Sequence, residues 1–227
     1  HMGAAGAALA TVAAHAASVL LSLAVIRRRT LPFTIGKKNL RFERRLVGRI
    51  LALGTPIALQ DLLVSISFLV ILAIVNSMGV IASAGVGVAE KLCAFIMLVA
   101  SAYMQSMSAF VAQNMGAGKP ERAKRALLYG IGTSLMAGVT LFYFSFFHGD
   151  AMAGIFARDP QVVAAAADYL KAYAIDCILT SFLFCFVGYF NGCGKTFFVM
   201  VQGIVGAFCV RIPVSWFMSR MAGVTLF

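Results

Sequence analysis

Acidic side chains are scarce in this chain. Its 227 residues include 8 Asp and Glu against 19 Lys and Arg, and charged residues make up only 12% of the total. A soluble domain carries about 25%, so there is too little charge to solvate a globular surface. The hydrophobic share is 61%. Composition therefore excludes an ordinary soluble enzyme and indicates a polytopic membrane protein. No CxxC pair occurs, and Cys93, Cys177, Cys185, Cys193 and Cys209 lie in or beside apolar runs. They read as small packing residues, not metal ligands. Gly192-Cys193-Gly194-Lys195 lacks the spacing and the preceding strand of a phosphate loop. No Ser/His/Asp constellation is evident, so the sequence offers no enzyme.

The basic residues are plentiful but clustered. Arg27, Arg28, Arg29, Lys37, Lys38, Arg41, Arg44, Arg45 and Arg49 fall in one loop, and Lys119, Arg122, Lys124 and Arg125 in a second. Both flank apolar runs, where the positive-inside rule puts them. That placement argues against nucleic acid as the partner of the +11 charge. The basic cluster after residue 26 follows an apolar run, the reverse of a cleavable signal peptide. His1-Met2 reads as a cloning scar or the cut end of a longer chain.

Six spans can be drawn: 4–26, 50–75, 84–112, 126–147, 162–190 and 196–218. The stretch 39–49 is expected to lie on the lipid surface as an amphipathic helix. Gly116, Gly118 and Pro120 break the chain into a basic turn at 119–125. An outer loop is expected at 148–161, a tight turn at 191–195 and a bend near Pro213. The apolar tail 221–227 reads as the opening of a truncated further span. Counting basic residues gives an N-terminus outside and six crossings. The fold class is an all-α, polytopic membrane helix bundle.

Charge inside the apolar runs marks where chemistry can reside, because a charged group at the bilayer centre costs at least about 2.5 kcal/mol. Asp61 and Asp176 each come about 17–18 Å into their spans by helical rise, near the middle of a core about 30 Å thick. A buried carboxylate there can exchange a proton, or bind Na⁺ with neighbouring oxygens. The competing reading is hydrogen bonding between helices without transport. Gln60, Gln105, Thr180 and Gln202 are polar candidates for the same cavity. Glu90 and Arg211 reach similar, shallower depths and are expected to pair. Pro56 and Pro213 are candidate hinges, or fixed kinks. His15 in the first span reads as a packed residue or a proton relay, and Met97, Met104 and Met107 as core or adaptable ligand surface. The aromatic run 142–147 reads as an interface anchor.

Several stretches together resemble bacterial MATE (multidrug and toxic compound extrusion) transporters: GAAGAALAT, GTPIALQD, VAQNMGAGKPERA, YAIDCILTSFLFCFVGYFNGCGKT and VRIPVSWFMSR. The resemblance covers essentially the whole chain. It implies that 1–26 is the last helix of an N-terminal lobe, 27–49 the basic cytoplasmic inter-lobe loop, and 50–227 a C-terminal lobe lacking most of its last helix. It implies export of organic cations and amphipathic drugs in exchange for Na⁺ or H⁺, with no other cofactor. The bacterial inner membrane is the implied location. Asp176 matches a tenth-helix cation position; Asp61 lies nearer Pro56 than the family's seventh-helix acid. The missing N-terminal lobe is the implied partner. Two other readings stand beside it: a lipid-linked precursor flippase of related fold, and a non-transporting membrane scaffold subunit.

Overall fold

The computed structural model describes residues 3–28, 43–77 and 79–220. The tail 221–227, residues 29–42 and His1-Met2 lie outside the described residues. Within the first 47 residues stands α1 (Gly3–Arg28), a continuous helix on which His15 is exposed. From Gly48 onward the chain forms one helical unit. Its helices are α2 (Arg44–Asn76), α3 (Val80–Gly116), α4 (Pro120–Phe147), the short α5 (Gly149–Gly154), α6 (Pro160–Gly192), α7 (Thr196–Val205) and α8 (Ile212–Arg220). A π-helical segment, Gly206–Arg211, joins α7 to α8 into one span. Six helices of the described chain are long and apolar enough to cross a membrane. At 37 residues, α3 extends about 55 Å on helical rise, well beyond a hydrocarbon core of about 30 Å.

The bundle is built around α6. Ala174, Cys177, Ser181, Cys185, Gly188 and Gly192 recur every three or four residues and are all buried. Small side chains on one face let neighbouring backbones approach closely, which is the main means of helix association where lipid is as apolar as leucine. A Cβ on Gly188 would meet the Met104 carbonyl oxygen of α3 at 2.5 Å, and one on Gly192 would meet that of Ser108 at 2.7 Å. Toward the other end, Gly85 of α3 packs on Ala165. On α4, Gly138 lies directly on Ser181 and on the Cys177 carbonyl. Cys93, Cys177 and Cys185 serve packing, being buried and free, whereas Cys193 is half-buried and Cys209, expected to pack as well, is exposed. Met107 also packs, joining Val111 and Ala123 in a core cluster against Tyr189 and Cys193.

Two turns stop their helices in the same way. Gly118 and Gly194 have φ of 70° and 76°. The next residue returns a hydrogen bond five positions back, Lys119 to the Asn114 carbonyl at 2.8 Å and Lys195 to that of Phe190 at 2.9 Å. This is the glycine-terminated helix end in which a left-handed residue lets orphan carbonyls be satisfied. The basic turn expected at 119–125 is shorter than that. Pro120 occupies the first turn of α4, where its missing N–H costs nothing, and Glu121 to Arg125 are already helical.

Other expectations shift for similar reasons. Arg44 to Arg49 are the first turns of α2 and not part of a separate surface helix. The outer loop contains α5, after which Asp159 caps α6 by accepting from the Gln161 N–H at 2.9 Å. The bend near Pro213 takes the form of the π-helical segment: the Ile212 N–H reaches back five residues to Ala207. Proline clashes with the carbonyl four residues before it, and a wider turn relieves that clash while rotating the downstream face by about 100° per added residue. Pro56, by contrast, sits inside a continuous α2.

α2 runs alongside the last span, touching it through side chains. Leu53 approaches Gly194, Gln60 lies against Gly203, and Arg211 covers the Phe68 ring. The nearly constant offset means that the two helices are parallel.

The close approach at Gly188 predicts that Gly188→Leu costs at least about 1–3 kcal/mol by overpacking. Gly132, which has open space around its Cβ direction, should accept alanine without loss. Thermal unfolding in detergent checks both; equal melting of Gly188→Leu and the parent would refute the packing assignment.

Candidate functional site

The candidate site residues separate by helix. Asp176 is half-buried on α6. The Thr180 hydroxyl, one turn on, shares its proton between the Asp176 carbonyl at 2.6 Å and the carboxylate Oδ2 at 3.0 Å. Thr180 is buried and lines a small cavity of about 20 Å³ with Ser134, Tyr173, Cys177 and Ser181. That is room for about one water. Ser134 Oγ donates across to the Ser181 carbonyl at 3.4 Å, and Ser181 Oγ to the Cys177 carbonyl at 2.8 Å. The apolar walls include Ile96 and Met97 of α3 and Leu141 of α4. The site is therefore a short ladder of hydroxyls beside one carboxylate, at the junction of α3, α4 and α6. Ser134 and Ser181 were not singled out from sequence. The signal available for Ser181 was its place on the small-residue face; Ser134 had none until α4 was docked.

The other candidates do not converge on it. Asp61 is exposed on α2, and its backbone carbonyl accepts from the Ser65 hydroxyl at 2.7 Å. Gln60 is half-buried against Gly203. Gln105 and Gln202 are exposed. Among the described residues no group of three or more His, Cys, Asp and Glu side chains gathers.

The expected ion pair between Glu90 and Arg211 is not formed. Among the described residues the side-chain ion pairs are Lys124–Glu121 at 2.8 Å and Lys171–Asp168 at 3.0 Å. Arg211 instead lies over the Phe68 ring, 4.4 Å from its centroid. Similar depth along two spans does not set side-chain direction: the π-helical segment turns the last span just before Pro213, and the guanidinium finds an aromatic face on α2.

The MatE family model matches residues 56–217. The chain belongs to the MatE family. As a MatE chain it is a multi-pass membrane protein of a transporter family. It is 24% identical to the Bacillus subtilis "Probable multidrug resistance protein YoeA", covering 96% of this chain and 48% of that protein. It is 24% identical to the Staphylococcus aureus multidrug export protein MepA, over 97% of this chain and 48% of that one. With the FAD transporter of Shewanella oneidensis it shares 30% identity over 73% of this chain and 36% of the other. The chain spans about half the length of these curated relatives or less. A solved MOP superfamily transporter from Pyrococcus furiosus superposes with a TM-score of 0.73 at 19% identity, covering 78% of this chain and 39% of that one. That likeness supports the MatE helical fold alone.

If Arg211 is held by Phe68, a double-mutant cycle on Phe68→Leu and Arg211→Gln should give a coupling of about 0.5–2 kcal/mol. The corresponding Glu90→Gln and Arg211→Gln cycle should give less. Thermal stability in detergent reads both, and the reverse order would restore the ion pair.

Proposed function

We propose that this chain works as the C-terminal lobe of a cation-coupled exporter of organic cations and amphipathic drugs. It would operate by alternating access against an N-terminal lobe, in the plasma membrane of a bacterium, with Na⁺ or H⁺ as the coupling ion. Asp176 and Thr180 would receive that ion; Asp61 would join them only in another arrangement of α2. The family and the multidrug export relatives support the class of activity.

The observation that carries the coupling role is the partner of Asp176. A scaffold subunit would use such a carboxylate to bond a neighbouring helix. Here the hydroxyl partner comes from its own helix, four residues on. Among the described residues no other side chain is seen to bond the carboxylate, and Thr180 links it to a small cavity also lined by Ser134 and Ser181. A midspan carboxylate with oxygen donors close by suits a site that a cation occupies in turn. Pro213 and the π-helical segment would supply a bending point in the last span, since such turns mark functional irregularities in helices.

A second reading has one observation in its favour. Arg211 carries a guanidinium in the last span that forms no ion pair among the described residues, and the FAD transporter among the relatives names a substrate with phosphates. A phosphate-bearing amphipathic substrate would use Arg211 as its anchor.

The test is efflux from vesicles holding the chain together with its N-terminal lobe. Asp176→Asn should lower ion-driven efflux of a fluorescent organic cation at least tenfold, while Asp176→Glu retains part of it. Unchanged efflux in Asp176→Asn would remove the coupling role. Inhibition by a flavin nucleotide that disappears in Arg211→Gln would favour the second reading.

A further inference from the structure

We propose that the turn between α3 and α4 binds the phosphate headgroup of an anionic glycerophospholipid. Gly118, Lys119, Pro120, Glu121, Arg122 and Arg125 line a shallow groove of about 460 Å³. Three of the six are cations. The one carboxylate of the lining, Glu121, pairs with Lys124 at 2.8 Å, and the groove keeps a net positive charge. Arg122 is not free to sweep through solvent: its guanidinium rests over the Phe110 ring of α3, 5.7 Å from the centroid. That contact holds a phosphate-binding fork at the boundary between the polar turn and the apolar shaft.

The shaft below has the complementary character. Leu128 and Tyr129 follow Arg125 by three and four residues, so they share its face of α4, and they are 70% and 75% exposed. Phe110 on α3 is itself partly exposed. A charged groove opening onto an apolar strip, with a tyrosine below the cations, matches an anionic headgroup with its acyl chains running along the helix. A free phosphate would use only the upper half.

The second glycine-lysine turn argues that the cations are surplus to the architecture. Gly194-Lys195 stops α6 with the same hydrogen bond and carries a single lysine. Building the stop needs the glycine alone. The positive-inside rule accounts for the sign of the charge at 122 and 125; the groove accounts for its gathering beside an exposed apolar strip.

The experiment uses the 227-residue chain in nanodiscs of phosphatidylcholine doped with phosphatidylglycerol, with retained lipid counted by native mass spectrometry on release. The parent should keep phosphatidylglycerol in preference to phosphatidylcholine. Lys119→Gln, Arg122→Gln and Arg125→Gln together should weaken retention by roughly a hundredfold at low salt. Arg44→Gln, Arg45→Gln and Arg49→Gln together remove the same charge and should leave it within about twofold. Circular dichroism verifies folding, and if the groove triple variant does not fold, Arg122→Gln alone against Arg49→Gln makes the same comparison. Equal loss in both sets, no loss in either, or equal retention of the two lipids would overturn the site. Displacement of the lipid by millimolar inorganic phosphate would also overturn it, by identifying a soluble anion as the ligand.

Discussion

Everything in this helical unit depends on how closely the backbones of α3 and α4 can approach α6. Lipid gives helices no hydrophobic reason to associate, so contact must come from packing and from polar bonds that lipid cannot offer. The small face of α6 supplies both. Its glycines admit the α3 backbone, and its cysteines and Ser181 fit under Gly138 and Ser134 of α4. Replacing this face by leucines would keep every helix apolar and would still lose the bundle. The hydroxyls beside Asp176 draw on that face in part: Ser181 belongs to it, Thr180 adjoins it on α6, and Ser134 comes from α4.

The remaining helices are held more lightly. α2 buries only Ser67 and Val75, and its attachments to the last span are side chains: Leu53, Gln60 and Phe68. A parallel pair joined in this way can slide or tilt at less cost than α3 against α6, where a glycine lies on a backbone carbonyl. The last span also contains the one irregular turn of the helical unit described from Gly48 onward. Rigidity and mobility are thus divided by residue size. A tight three-helix centre carries the carboxylate, and a looser pair beside it carries Pro56, Pro213 and Arg211.

The helices were legible because length and apolarity decide them, and so was the glycine-proline stop after α3. What sequence could not give was direction around each axis. Glu90 and Arg211 have the right depth to pair, but depth uses only the helical rise, while pairing requires the azimuth. The π-helical segment alters that azimuth by an amount no periodicity announces. The charge at 121–125 suggests a turn, whereas a proline in the first turn lets a helix begin among these residues. Ser134 was invisible because a lone serine in an apolar helix acquires meaning only from what docks on it.

The same geometry separates the two midspan acids. Successive residues on a helix point about 100° apart, so Gln60, packed on Gly203, directs its neighbour Asp61 away from the last span. The exposure of Asp61 is in keeping with α2 as a whole, which buries little of its length. Asp176 follows a different rule: it lies two positions after Ala174 and one before Cys177, at the margin of the buried face of α6. A residue at a margin is half-buried. It is neither enclosed like Cys177, on the buried face itself, nor turned outward like Ile175, which is 58% exposed. The sequence spacing of small residues on α6 therefore sets both the packing and the accessibility of its one midspan acid.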